Sequence, residues 1–144
     1  MTSDPAFQAW LSARSFPADP ASPSRSYMDQ VAAATSRGVV VRRVRIVSEP
    51  VSDYVRWEHG LTAPVNVAAG EQVRWVPREF CSTLTLPGNP YWVFDDKLVR
   101  FVLFEGNGEL RGFQYSDHPD VIAACRDAFE AVWELGIPHE DYRV

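Results

Sequence analysis

The chain has 144 residues, 46% of them hydrophobic and 23% charged, with a net charge of −5. That length and balance fit one globular domain with a sizeable core, and the negative charge argues against wrapping nucleic acid, whose phosphates attract clustered Lys and Arg. No apolar run approaches the roughly 20 residues of a membrane span, and no charged n-region precedes an apolar h-region, so a cytoplasmic protein with no membrane contact is expected.

The two cysteines, Cys81 and Cys125, lack metal spacing and read as free thiols in a reducing compartment. Thirteen of the fourteen basic residues are Arg, Lys97 being the exception, so the cations are fork-shaped donors suited to carboxylate or phosphate.

In chain order, Asp4–Ala13 places Phe7, Trp10 and Leu11 at helical spacing, opened by Ser3 and Pro5. Phe16–Arg25 is rich in Pro and Ser and reads as a linker. Residues 1–25 are thus expected to be a helix plus linker, and 26–144 a single domain. Ser26 with Asp29 opens a second helix carrying Met28, Val31 and Ala32, which Arg37 and Gly38 close. Val39–Val47 is a strand whose alternation puts Arg43 and Arg45 on one face and Val44 and Ile46 on the other.

Ser48-Glu49-Pro50 reads as the start of a third helix through Tyr54, Glu58 and Leu61, ended by Pro64. Glu71–Val76 is a strand, and Arg78–Pro90 an irregular, mobile loop. Three strands follow: Tyr91–Phe94, Leu98–Phe104 and Leu110–Tyr115. An Asp95-Asp96 turn joins the first two, and Glu105–Gly108 the second pair, with Asn107-Gly108 as the dipeptide that tolerates positive φ. Asp117 and Asp120 cap a last helix carrying Val121, Ile122, Cys125, Phe129, Val132 and Trp133, and Gly136 stops it before a short tail. The predicted fold class is α/β, or α+β: a mixed, largely antiparallel sheet of about five strands with helices over it. Its core is expected to gather Val44, Ile46, Trp92, Phe94, Val102, Phe129 and Trp133.

The run Phe94-Asp95-Asp96-Lys97-Leu98-Val99 with the spacing Phe129…Trp133 resembles the phospholipase D-like fold in a non-catalytic, sensor-type form. The segment from Val47 to Glu79, with Trp92–Asp96, is also similar to a family of small actinobacterial proteins, a likeness covering about Met28 to Tyr142. The resemblance implies that these proteins are encoded near helix-turn-helix regulators, which makes such a regulator a candidate partner. Catalytic phospholipase D-like proteins carry His-x-Lys; here His59, His118 and His139 all lack a Lys two residues on, so that nucleophile chemistry is not expected.

The residues that could form a site are mainly arginines. Arg43, Arg45, Arg56, Arg74 and Arg78 fall on neighbouring strands and the helix between them, where guanidinium groups could converge on phosphate or carboxylate. Trp92, beside the Pro87–Pro90 loop, is a candidate pocket wall. The plainer reading is an internal salt-bridge network with Glu49, Asp53, Glu58 and Glu71. Asp95 and Asp96 point to opposite faces and read as turn formers rather than a carboxylate pair. No phosphate loop, nucleophile elbow or metal-spaced set is present, and no cofactor or metal is expected. The sequence therefore favours a non-enzymatic regulatory or sensor module, binding a partner protein or a small anionic ligand in transcriptional regulation. The alternative is an enzyme using the arginines with Asp53, Glu58 or His59.

Overall fold

The computed structural model describes residues 4–144; Ser3, expected to open the first helix, lies outside them. Among these residues the helices are α1 (Pro5–Ala13), α2 (Arg25–Ser36), α3 (Asp53–Leu61) and α4 (Pro119–Glu134). The strands are β1 (Arg42–Val47), β2 (Gln72–Pro77), β3 (Tyr91–Phe94), β4 (Leu98–Phe104), β5 (Leu110–Ser116) and β6 (Ile137–Pro138). The fold is α+β and mixed. Its strands form two three-stranded sheets, β1-β2-β6 and β3-β4-β5, in place of the one sheet of about five strands that the sequence suggested. The described chain divides into two compact units, residues 4–80 with Gly136–Val144, and Cys81–Leu135.

In the first unit β1 and β2 run parallel, and β6 pairs antiparallel with β2. Parallel neighbours need a crossover connection, which α3 and a following π-helical segment, Thr62–Val67, supply. The sequence placed the start of this helix at Ser48 and its end at Pro64. Both ends differ. Ser52, extended at ψ 163°, is the true N-cap, its hydroxyl accepting from the Val55 N–H at 3.3 Å with Asp53 in the first turn. Pro64 falls inside the wider π turn, where five-residue hydrogen bonds such as Ala68 N–H to the Ala63 carbonyl continue the coil.

Strand β1 begins at Arg42 rather than Val39: Val39 and Val40 lie exposed, and the Val39 N–H still bonds the Ala34 carbonyl of α2 at 3.2 Å. The core of this unit is Val47, Trp75 and Tyr142, flanked by Val51, Val55 and Ile137. The Trp75 and Tyr142 rings stack at 5.5 Å and 5°, so the C-terminal tail completes the core. Helix α1 docks on α3 through buried Phe7, which touches Tyr54 edge-on at 5.1 Å and Trp57 at 5.5 Å. Asp4 caps it, its carboxylate accepting from the Ala6 and Phe7 N–H groups. The N-terminal segment expected to be a helix and linker is therefore packed into the unit.

In the second unit β3, β4 and β5 form an antiparallel meander. Asp95 and Asp96 both have positive φ, 51° and 52°, and the Lys97 N–H bonds the Phe94 carbonyl at 2.9 Å, the backbone of a type I′ turn. At the other hairpin only Gly108 has positive φ, 86°, and the turn centres on Gly106 and Asn107 instead of the Asn107-Gly108 pair. Helix α4 is capped by His118, whose Nδ1 accepts from the Asp120 N–H. It covers one face of the sheet, packing Ile122 and Cys125 against Val99, with Tyr91, Val93 and Phe101 around them.

The expected core differs accordingly. Trp133 is buried, but Val44, Ile46, Trp92, Val102 and Phe129 are only half-buried and Phe94 is exposed. The pairing register explains why. Tyr91, Val93, Val99 and Phe101 share the α4-facing side, and their alternates Trp92, Phe94, Arg100 and Val102 point the other way. Both cysteines are free and buried.

Truncating Trp75, which is fully buried, removes the centre of the first unit. Trp75→Ala is expected to cost about 3–5 kcal/mol, measured by denaturant unfolding. A loss under about 1 kcal/mol would show that the tail and sheet do not share this core.

Candidate functional site

Two regions bear on function, the first of which holds Arg43 and Arg45 among the residues singled out from sequence. The first is the face of β1 and β2 that carries Arg43, Arg45, Val73 and Trp75. Arg43 Nε donates to Glu71 Oε2 at 2.7 Å, and its Nη2 donates to the Tyr27 hydroxyl at 2.7 Å. Glu71 is buried, its side chain fully enclosed, and it also accepts from the Tyr27 hydroxyl and from Asn66 Nδ2 at 3.0 Å. Burial pushes the Glu71 carboxyl pKa up, but the Arg43 charge and these hydrogen bonds outweigh it and hold the group below its ordinary value. Burial likewise opposes Arg43, which the Glu71 carboxylate holds above its ordinary value. Desolvation raises the Tyr27 hydroxyl, keeping it a neutral donor at physiological pH.

Beside this network Arg45 Nη1 meets Glu58 Oε1 at 2.7 Å, and its guanidinium lies 5.3 Å from the Trp75 ring. Its Nε is buried without a hydrogen-bond partner. A cavity of about 260 Å³ opens here, lined among others by Tyr27, Arg45, Tyr54, Trp57, Glu58 and Asn66. Burial pushes the Tyr54 hydroxyl up to about 12.

The other arginines do not join this cluster. Arg74 pairs in register with Val44 and so occupies the opposite sheet face. Arg56 is exposed on α3, and Arg78 reaches the Ser48 hydroxyl and the Ile46 carbonyl. Trp92 lies on β3, in the other compact unit. The acids are engaged too: Asp53 pairs with Arg14 at 2.9 Å, and Glu49 accepts from the Tyr142 hydroxyl at 2.6 Å.

The histidines gather at the tail. His59 and His139 rings lie 4.6 Å apart. Trp75 Nε1 donates to His139 Nδ1 at 3.1 Å, so the His139 proton sits on Nε2. His59 Nε2 faces the Tyr142 carbonyl at 3.2 Å, an acceptor only, so His59 carries its proton there. Burial lowers both imidazole pKa values from 6.5, and for His139 the neighbouring His59 adds to the effect. Among the described residues no group of three or more His, Cys, Asp or Glu could hold a metal ion.

The second region is the uncovered face of β3-β4-β5, of which sequence reasoning had singled out only Trp92. Register brings Trp92 beside Arg100, Arg100 beside Tyr115, and Val102 beside Phe113. Phe94, Phe113 and Tyr115 are 39%, 47% and 58% exposed. The Arg100 guanidinium lies 5.5 Å from the Phe94 ring and 4.8 Å from Phe113, while its Nε is buried without a partner. The alternation of Trp92, Phe94, Arg100 and Val102 was legible as one strand face; that α4 would cover the other face was not.

Together these features define a small α+β protein in which Arg43 and Arg45 pair with Glu71 and Glu58 and whose second sheet presents an aromatic face. The family model described as Domain of unknown function (DUF6879) matches residues 1–144, and the chain belongs to that family. No curated protein and no solved structure matches it significantly. Among the described residues no helix is long and apolar enough to cross a membrane.

Two tests follow from the first region. Glu71→Gln leaves Arg43 without its counter-charge and is expected to cost about 3 kcal/mol in denaturant unfolding. This is the low end for a broken buried pair, because the Arg43 side chain keeps 23% exposure. Little or no loss would mean that Glu71 does not neutralise Arg43. The histidines set a pH dependence. Their folded pKa values lie below 6.5, so the unfolded chain takes up protons first as pH falls, and stability is full above about pH 6.5 and lost on acidification through the lowered values. The urea midpoint should drop between pH 7 and 5, and His59→Gln with His139→Gln should flatten that slope; an unchanged slope would reject the assignment.

Proposed function

We propose that this protein is a non-enzymatic binding module of the regulatory type, and that its partner is another protein, met at the uncovered face of β3-β4-β5. The observation that carries the reading is the contrast between the two faces of that sheet: one is sealed by α4, while the other leaves Phe94, Phe113 and Tyr115 in solvent around Arg100. Antiparallel sheets with one solvated face alternate apolar and polar residues, and clustered aromatics on the wet side mark an interaction surface. The groups an enzyme would use are held elsewhere: Asp53 by Arg14, Glu58 by Arg45, His59 by the Tyr142 carbonyl. The likeness to proteins encoded near helix-turn-helix regulators supports a role in transcriptional regulation. A small anionic ligand is the second reading, favoured by the buried Arg45 Nε near the cavity and opposed by the Arg45–Glu58 pair.

The test is a pull-down from the native host, read by mass spectrometry, comparing the wild-type protein with a folded Tyr115→Glu variant. A protein retained by the wild type and lost by the variant is expected. Equal retention by both would remove the face from the interaction.

A further inference from the structure

The uncovered sheet face also states what kind of partner it fits, and this inference rests on the protein-binding reading above. We propose that the face receives an amphipathic helix of a partner protein that carries one carboxylate within its apolar stripe and basic residues towards both ends.

Shape comes first. The face is three strands wide, so β3 and β5 stand roughly 10 Å apart, about the width of one α-helix. Helix α4 already covers the opposite face in this way, across β3 and β4. A second helix would complete a helix–sheet–helix sandwich, the ordinary way to bury a sheet that is apolar on both sides. Strand addition at the β5 edge is disfavoured by the β-bulge between Leu103 and Phe104, where Arg111 drops out of the register with β4 next to Gly112 at φ 151° and the strand bends.

Charge then selects the helix. Arg100 stands among Trp92, Phe94, Val102, Phe113 and Tyr115 with its Nε buried and unpartnered, and among the described residues no carboxylate pairs with it. Covering it with a purely apolar surface would strand a guanidinium, whereas a carboxylate turns the same burial into a charge-assisted hydrogen bond. Around this one cation the unit is acidic. Residues 81–135 hold Lys97, Arg100, Arg111 and Arg126 against nine Asp and Glu, so they carry the whole net charge of −5. Asp95 and Asp96 lie at one end of the face, Glu105 and Glu109 at the other. A helix along the strands would therefore meet acidic turns at both ends and the cation between them. The seven residues of β4 span roughly 23 Å, the length of about 15 helical residues.

The same charges argue against other occupants. A second copy laid face to face would set acidic turns against acidic turns and Arg100 against Arg100. Nucleic acid and anionic membranes would meet a unit of net charge −5.

The experiment uses the full chain and a displayed library of 15- to 18-residue helical peptides (length from the helical rise), with every stripe and flank position randomised. Selection on the wild-type protein is expected to enrich peptides with one Asp or Glu in the stripe and Lys or Arg near both ends. A selected peptide made with Gln for that acid should bind the wild type about tenfold more weakly or worse, the scale of a lost charge-assisted bond. Against Arg100→Met, a nearly volume-conserving change, the two peptides should bind alike. Tyr115→Glu, at the most exposed ring, should weaken both. Selected peptides without an acid, an empty selection, or binding indifferent to Arg100→Met would overturn the proposal. If the host partner is lost by Tyr115→Glu while the library fails, the helix is wrong and the binding face stands; if neither depends on the face, both readings fall.

Discussion

The fold of the first unit depends on neutralising one buried carboxylate. An isolated ionised carboxylate in a protein interior is too costly to persist unpaired. Glu71, 3% exposed, is tolerated because three separate elements reach it: Arg43 from β1, Tyr27 from α2 and Asn66 from the π-helical segment. Glu71 directly precedes β2, and Arg43 lies opposite Val73 in the parallel pairing. The ion pair thus ties the start of β2 to β1, while Tyr27 draws α2 onto the same edge. Gly70 belongs to this junction. Its φ of +102° and the 2.7 Å that would separate a Cβ from the Thr35 hydroxyl leave no room for a side chain.

That constraint decides what the arginines are for. Arg43 is spent on Glu71 and Arg45 on Glu58, each at 2.7 Å. Arg45 packs its guanidinium on Trp75, whose ring also meets those of Tyr142 and the two histidines. Charge, stacking and the C-terminal tail are therefore one connected assembly. Within it the two carboxylates meet arginines, and the two histidines, whose pKa values burial lowers, have partners that fix where their protons sit. The second unit shows the opposite situation. Among the described residues Arg100 has the Phe94 and Phe113 rings for neighbours and no carboxylate partner, on a face of exposed aromatics.

Much of the fold was legible locally. Strands β3 and β4 run from Tyr91 to Phe94 and from Leu98 to Phe104 as their β-branched and aromatic residues imply, and Asp95-Asp96 forms the turn. What local pattern could not supply was the choice between strand faces. On Tyr91–Phe94 both parities are apolar or aromatic, so alternation alone left the buried side open, and the expected core took Trp92 and Phe94 where α4 selects Tyr91 and Val93. Division of the strands between two sheets is likewise a long-range fact, as is the pairing of β6 from the tail with β2. At the site, the acids expected to neutralise Arg43 and Arg45 were readable as candidates. The contributions of Tyr27, Asn66 and His139, 16 to 94 residues away from the arginines they surround, were not. Arg100 was overlooked because a lone Arg in an apolar strand looks like an interruption until the covered face is known.

The internal pairing of Arg43 and Arg45 is tested most directly by titrating sulfate against the melting temperature, with sodium chloride at matched ionic strength as the reference. If Arg43 and Arg45 are already neutralised by Glu71 and Glu58, sulfate will give no saturable gain over chloride. A saturable rise that grows with concentration, as specific binding requires, and that Arg45→Ala abolishes, would contradict the account and make the cavity beside Arg45 an anion site.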